Sequence, residues 1–150
     1  KMPVYPIKGY SVTIPTAGFD GAPTIPGVDE GNLIAFCRMG DKLRLTATAD
    51  FAGYDTGYEA KDFAPMLRVA RELFPNAGAF DRPSHWACLR PMTPDGPPII
   101  GGTRYRNLWI NTGQGHMGWT MACGSGRIVA DLIGGKKPDI DINGFRPDRY

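Results

Sequence analysis

A chain of 150 residues is the usual size of one domain, and with 42% apolar, 11% aromatic and 21% charged residues it is globular, which excludes disordered, collagen-like and coiled-coil classes. Seventeen basic against fifteen acidic side chains give a formal charge of +2, scattered along the chain with no basic stripe, so nucleic acid is not an expected partner. Glycine (20) and proline (14) are frequent enough to disfavour an all-helical fold.

In chain order, Tyr10, Val12 and Ile14 alternate with Ser11 and Thr13, a period-two pattern that predicts a strand ending at Pro15. A Gly/Pro-rich loop over 16–31 precedes a strand over 33–38, and Gly40-Asp41 separates it from a strand over 42–46, an antiparallel hairpin. Phe63, Met66, Leu67, Ala70 and Phe74 form the apolar stripe of a helix stopped by Pro75-Asn76. Short strands follow over 84–90, 99–101 and 108–111, with a tight turn at Thr93-Pro94-Asp95-Gly96. A second helix is predicted over 119–133, closed by Gly134-Gly135, before a polar, Pro-containing tail. The fold class is therefore α+β, with a mostly antiparallel sheet and two main helices. Cys37, Cys88 and Cys123 are an odd set with no CxxC pair and read as buried thiols of a reducing compartment, so neither disulfide nor metal site is expected. No run reaches the roughly 20 apolar residues of a membrane span, and Lys1-Met2-Pro3 does not read as the start of a signal peptide.

Gly113-Gln114-Gly115-His116-Met117-Gly118 matches GxGxxG between a predicted strand and a predicted helix. The dinucleotide fingerprint also needs a following parallel strand with an acidic end, and the residues after Gly135 do not supply one. Two readings of the turn remain. Its glycines let the backbone approach an electron-rich ligand at a positive helix N-terminus, or they, with Gly124 and Gly126, let the helix pack tightly on a strand. Arg90, held extended by Pro91, is placed to pair with a carboxylate in a two-bond fork; the alternatives are a surface arginine or a pair with Asp95.

Three segments together resemble a family: Pro6-Ile7-Lys8-Gly9-Tyr10-Ser11, the run from Leu89-Arg90-Pro91-Met92 through Thr93-Pro94-Asp95-Gly96 to Gly101, and the run from Asn111-Thr112 to Gly126. In this order they are similar to the carboxy-terminal part of bacterial D-amino acid dehydrogenases, within the D-amino acid oxidase-like group of FAD-dependent enzymes. The resemblance implies that residues 1–98 belong to the substrate-binding sheet and 99–150 contribute the last strand and helix of the FAD-binding domain. It also implies that an amino-terminal portion holding the ADP half of FAD is missing and is the partner this chain needs. Histidine usually stands one place earlier between the family's glycines than in Gln114-Gly115-His116, a departure in this chain.

The reaction so implied is oxidation of a D-amino acid, with hydride passing from Cα to flavin N5 and the imino acid hydrolysing to a 2-oxo acid and ammonia. Arg90 would hold the substrate carboxylate, Gln114 and His116 would line the flavin side of the pocket, and Tyr54 would bond the carboxylate or cap the pocket. Gly113, Gly115, His116, Met117, Gly118, Trp119 and Thr120 would face the cofactor. Tyr58 shares the glycine-rich 53–57 neighbourhood, Lys8 would approach the flavin edge or face solvent, and His85 reads as a core histidine. The resemblance further implies a quinone or other respiratory acceptor and a cytoplasmic location, with a peripheral position at the inner membrane as the alternative. Two other readings stay open: a related flavin enzyme acting on glycine, sarcosine, proline or an opine, and a non-enzymatic module that binds carboxylates.

Overall fold

The structure is a computed structural model that describes residues 2–150. It divides into two compact units, one of Lys8–Leu89 and one of Lys1–Ile7 with Arg90–Tyr150. The division expected at residue 98 concerns role and is a separate question from these units.

The sheet is built from β1 (Tyr5–Pro15), β2 (Gly27–Asp29), β3 (Ile34–Met39), β4 (Lys42–Asp50) and β5 (Ser84–Met92), in the order β2-β3-β4-β1-β5. Alternation decides its faces: Val12 lies opposite Leu45, which lies opposite Phe36, and Ile14 lies opposite Leu43. These side chains, with Tyr10 and Ile34, form the sheet side of the core. Helix α1 (Ala64–Leu73) covers them with Met66 and Ala70 of the expected stripe, whose Leu67 and Phe74 are partly buried, and with Val69, which the expected stripe left out. Its first turn carries Pro65, and the Phe74 N–H closes the last turn on the Ala70 carbonyl at 2.9 Å just before Pro75. Phe63 is the centre of this unit, fully buried, edge-on to Tyr10 and Tyr58 at 5.6 and 5.2 Å and stacked on His85 at 4.3 Å.

Several sequence expectations change here. The 16–31 loop contains β2, a three-residue edge strand paired with Ile34–Phe36, because Gly27 lets the backbone lie against the Phe36 ring. β4 continues to Asp50, sustained by its ladder with β1, and between the Lys8–Asp50 and Tyr10–Ala47 pairs it bulges, with Thr48 and Ala49 opposite Gly9 and Thr48 at φ +65°. All three cysteines are exposed rather than buried. On β5 the reason is the strand period: Ala87 is buried and His85 stacks on Phe63, so Cys88 points to the other side.

The second unit contains the hairpin of β6 (Ile99–Gly102) and β7 (Trp109–Thr112), with Ile99 opposite Thr112 and Gly102 opposite Trp109. Helix α2 (Gly118–Ile133) follows, and its carboxy end is a Schellman arrangement. The Lys136 N–H reaches the Asp131 carbonyl at 2.7 Å and the Gly135 N–H reaches Leu132 at 3.2 Å, with Gly135 at φ +67°. Along α2 the buried residues are Ser125 and Asp131, whereas Met121 and Ile133 are exposed and Trp119 is 95% exposed. The tail is folded, with 3-10 turns at Asn143–Phe145 and Pro147–Arg149. Among the described residues no helix is long and apolar enough to cross a membrane.

Replacing Phe63 by Ala removes the ring at the centre of the Lys8–Leu89 core, and a loss of about 3–5 kcal/mol of stability is expected. Urea denaturation measures it; a loss below about 1 kcal/mol would contradict this placement of the core.

Candidate functional site

Arg90, Pro91 and Met92 end β5, and the chain then turns through Thr93-Pro94-Asp95-Gly96 into β6. The Thr93 hydroxyl closes that turn by donating to the Pro97 carbonyl at 2.8 Å. The β6–β7 hairpin brings the chain back, and Met92 pairs antiparallel with Gln114 in a single bridge. The end of the arginine strand and the glycine-rich turn are thus hydrogen-bonded neighbours within one unit.

Gly113 has φ +81°, and a Cβ placed on it would lie 2.6 Å from Thr93 Cγ2; at Gly115, φ is +56° and a Cβ would lie 2.5 Å from Met92 Sδ. Gly113 is required by backbone conformation and by the close approach of Thr93, whereas Gly115 is favoured by its conformation, the flexible Met92 thioether being free to move aside. Gly124 and Gly126 differ, since a Cβ on either meets nothing within 4 Å, so among the described residues α2 does not pack closely on a strand at these two positions. The Gln114 amide donates to Asn111 Oδ1 at 2.5 Å, Asn111 donates to Ser125 Oγ at 3.3 Å, and the Ser125 hydroxyl donates to the Ala122 carbonyl at 3.4 Å. This chain of bonds ties β7, the turn and α2 together.

The helix follows directly on a 3-10 turn over Gly115–Met117 and has no side-chain cap at Met117, so its electropositive start carries no side-chain acceptor. Around it His116, Met117, Trp119 and Thr120 are exposed and Gly118 is half-buried. These features fit the ring portion of a flavin, whose pyrimidine edge gains negative charge on reduction. They do not make a complete nucleotide site, since α2 is followed among the described residues by 3-10 turns and no further strand.

Arg90 is half-buried, which pushes its guanidinium pKa down from the ordinary value by desolvation. Desolvation is also the condition under which pairing with a carboxylate is strongest. Strand alternation places Arg90 and Met92 on the same side of β5, the side on which Met92 meets Gly115. Arg90 is therefore not a fully exposed surface arginine, and Asp95 pairs with Arg149 instead, at 3.0 and 3.1 Å in a two-bond fork completed by the Tyr150 hydroxyl. The Arg149 guanidinium and the Tyr150 hydroxyl hold the Asp95 carboxyl well below the usual carboxylate range. This carboxy-terminal clamp was missed from sequence, where Arg149 and Tyr150 carry no local motif.

Other expected residues lie in the Lys8–Leu89 unit. Tyr54 is 85% exposed on the loop after β4, and Tyr58 donates to the His85 carbonyl at 3.2 Å with its ring against Phe63. Lys8 does not face solvent: it is 4% exposed, donates to the Gly57 carbonyl and to Asp55 at 3.4 Å, and lies over the Tyr10 ring at 5.3 Å. Burial pulls its ammonium pKa down, but Tyr10 and Asp55 outweigh this and leave it raised. His85 packs on Phe63 as a core histidine, although its Nε2 is buried without a hydrogen-bond partner. Among the described residues no group of three or more His, Cys, Asp or Glu could hold a metal. A cleft of about 990 Å³ in the second unit is lined by β6, Tyr105, Leu132, Arg146 and Tyr150, and by none of the residues expected to meet substrate or cofactor.

With this geometry in place, comparison with known proteins defines the class. The family model described as FAD dependent oxidoreductase matches residues 1–132, and the chain belongs to that family. It is 53% identical over 146 residues to D-amino acid dehydrogenase 2 of Mesorhizobium japonicum, covering 96% of this chain and 35% of the relative. It is 46% identical over 150 residues to the D-amino acid dehydrogenase of Bradyrhizobium diazoefficiens, covering 99% and 35%. The chain therefore spans about a third of the length of these relatives. Its fold is similar to glycine oxidase from Geobacillus kaustophilus, with TM-score 0.83 and 24% identity over 100% of this chain and 40% of that one. Iminodiacetate oxidase from Chelativorans sp. BNC1 shares the fold with TM-score 0.85 and 20% identity over 98% and 40%.

Gly113→Ala is expected to lower the melting temperature measurably, while Gly124→Ala and Gly126→Ala are expected to stabilise α2 by up to about 1 kcal/mol. Equal tolerance at all three sites would contradict the close approach at Thr93. Asp95 titrates lower in the folded chain than its usual value of about 3.9, so its contribution is complete above that pH and is lost only as acid carries the pH down through the folded value. Melting curves of Asp95→Asn and the parent should therefore be well separated at pH 7 and converge only below about pH 4. A gap that stays constant into acid would contradict the ion pair.

Proposed function

We propose that this chain is the substrate-holding and flavin-facing part of an FAD-dependent enzyme that oxidises D-amino acids to 2-oxo acids and ammonia. The observation that carries the proposal is the Met92–Gln114 bridge, which joins the strand end bearing Arg90 to the glycine-rich turn and the uncapped start of α2. The substrate class is supported by identities of 46–53% with proteins named D-amino acid dehydrogenase. FAD, when bound, supplies the acceptor for the hydride that leaves the substrate Cα.

The chain's own residues place the substrate. Arg90 takes the carboxylate in a two-bond fork, which fixes the position of Cα and the face it presents. Gln114 and His116 line the side next to the cofactor, and Gly113, Gly115, Met117, Gly118, Trp119 and Thr120 face it, with the first-turn N–H groups of α2 favouring negative charge there. Tyr54 covers the pocket or bonds the carboxylate. The amine acts in its neutral form, so solvent serves as base, and water then hydrolyses the imino acid without an enzymic nucleophile.

In this reading residues 1–98 hold substrate and 99–150 complete the cofactor domain. An amino-terminal portion holds the ADP half of FAD and packs on the bare apolar side chains of α2, including Met121 and Ile133. A quinone or another respiratory acceptor receives the electrons at the cytoplasmic face of the inner membrane.

The test combines the chain with an amino-terminal FAD-binding portion and follows flavin absorbance without oxygen as D-alanine, D-arginine, D-proline or sarcosine is added. Bleaching by primary D-amino acids is the expected result. Preference for sarcosine would move the protein to secondary-amine oxidation, and binding of D-alanine by the chain without FAD would favour a carboxylate-binding module.

A further inference from the structure

We propose that Arg149, 59 residues beyond the substrate arginine in sequence, is a positioning residue that sets the geometry of the glycine-rich turn through the 93–98 segment. Its side chain is only 12% exposed and donates to four groups on that segment or beside it. Nε and NH2 engage the Asp95 carboxylate at 3.0 and 3.1 Å, NH1 reaches the Pro98 carbonyl at 2.9 Å, and NH2 reaches the Pro97 carbonyl at 2.7 Å and the Tyr150 hydroxyl at 3.0 Å. A planar fork reaches this whole set, the two hydrogens of NH2 being shared among three acceptors, whereas a lysine offers only one centre.

The segment so held is the wall against which the glycine turn is built. Pro97 is also the acceptor for Thr93 Oγ1 at 2.8 Å, and a Cβ on Gly113 would meet Thr93 Cγ2 at 2.6 Å, the Ile99 nitrogen at 3.6 Å and Pro98 Cα at 3.7 Å. Arg149 thus grips the carbonyl of Pro98, which abuts Gly113, and that of Pro97, which Thr93 also binds, and Thr93 adjoins Met92, the partner of Gln114. The tail that delivers Arg149 lies on β6, with Pro147 Cδ placed 3.2 Å from where a Cβ on Gly101 would stand. In this proposal the arginine acts only through the 93–98 segment and meets neither substrate nor cofactor. Its effect on reaction rests on the functional reading above, but the mechanical linkage does not.

Backbone amide hydrogen exchange on the 150-residue chain, with Arg149→Gln and the milder Arg149→Lys, separates the two. Exchange is expected to accelerate about tenfold or more over 95–99 and 112–117 in Arg149→Gln, and less in Arg149→Lys, with the Lys8–Leu89 unit unchanged. Acceleration confined to 143–150 would overturn the proposal, leaving Arg149 as an anchor of its own tail, and uniform acceleration through both units would overturn it as general destabilisation. In the reconstituted flavoprotein the same variants should alter the visible flavin band and raise the half-saturating D-alanine concentration more than they lower the limiting rate. If the parent fails to reduce flavin with any amino acid, the functional reading falls while the exchange result still decides the linkage.

Discussion

The Arg90–Tyr150 segment is organised by a close approach of two backbones, the strand end at Met92-Thr93 and the turn at Gly113-Gln114-Gly115. There is no space for a side chain at Gly113, where a Cβ would stand 2.6 Å from Thr93 Cγ2, and the turn needs positive φ at both glycines. Everything with chemical potential in that unit hangs on this approach. It aligns the Met92–Gln114 bridge, aims the uncapped start of α2, and brings that start within one strand pairing of Arg90. Glycines in a GxGxxG pattern are commonly read through the ligand they admit, whereas here two of them are explained first by the protein they touch.

The two helices show how differently apolar residues are used. α1 buries Met66, Val69 and Ala70 on the sheet and is stabilised by that burial. α2 is the more apolar segment, yet it buries Ser125 and Asp131 and leaves Trp119, Met121 and Ile133 exposed. It is held by polar means instead: the Asn111–Ser125 bond at its middle, the Arg127–Asp131 pair at 2.9 Å in its second half and the Schellman closure at Gly135. Lys8 shows the reverse, a charge in a buried place that is tolerated because Gly57, Asp55 and the Tyr10 ring compensate for lost water.

Much of the architecture was legible in sequence where periodicity is strong. Tyr10, Val12 and Ile14 marked β1, the Phe63 to Phe74 spacing marked α1, and Gly134-Gly135 marked the end of α2, because each is a local rule acting within a few residues. β2 was hidden, since three residues in a Gly/Pro-rich stretch become a strand only through pairing with β3. The cysteines misled because apolar neighbours in sequence are not neighbours on one face of a strand, for Cys37 and Cys88, or of a helix, for Cys123. Of the candidate site, Arg90 and the 113–120 run stand out in sequence as motifs, while the Arg149–Asp95 clamp joins residues 54 apart and no local pattern announces it.

The central claim is that Arg90 anchors a substrate carboxylate beside the glycine-rich turn, and the most direct measurement is the half-saturating D-alanine concentration of Arg90→Ala in the reconstituted flavoprotein. The account predicts a rise of orders of magnitude, since loss of a charge-paired anchor typically costs about 2–5 kcal/mol. A near-parental value, with flavin still reduced at the parental rate, would remove Arg90 from the site and contradict the account.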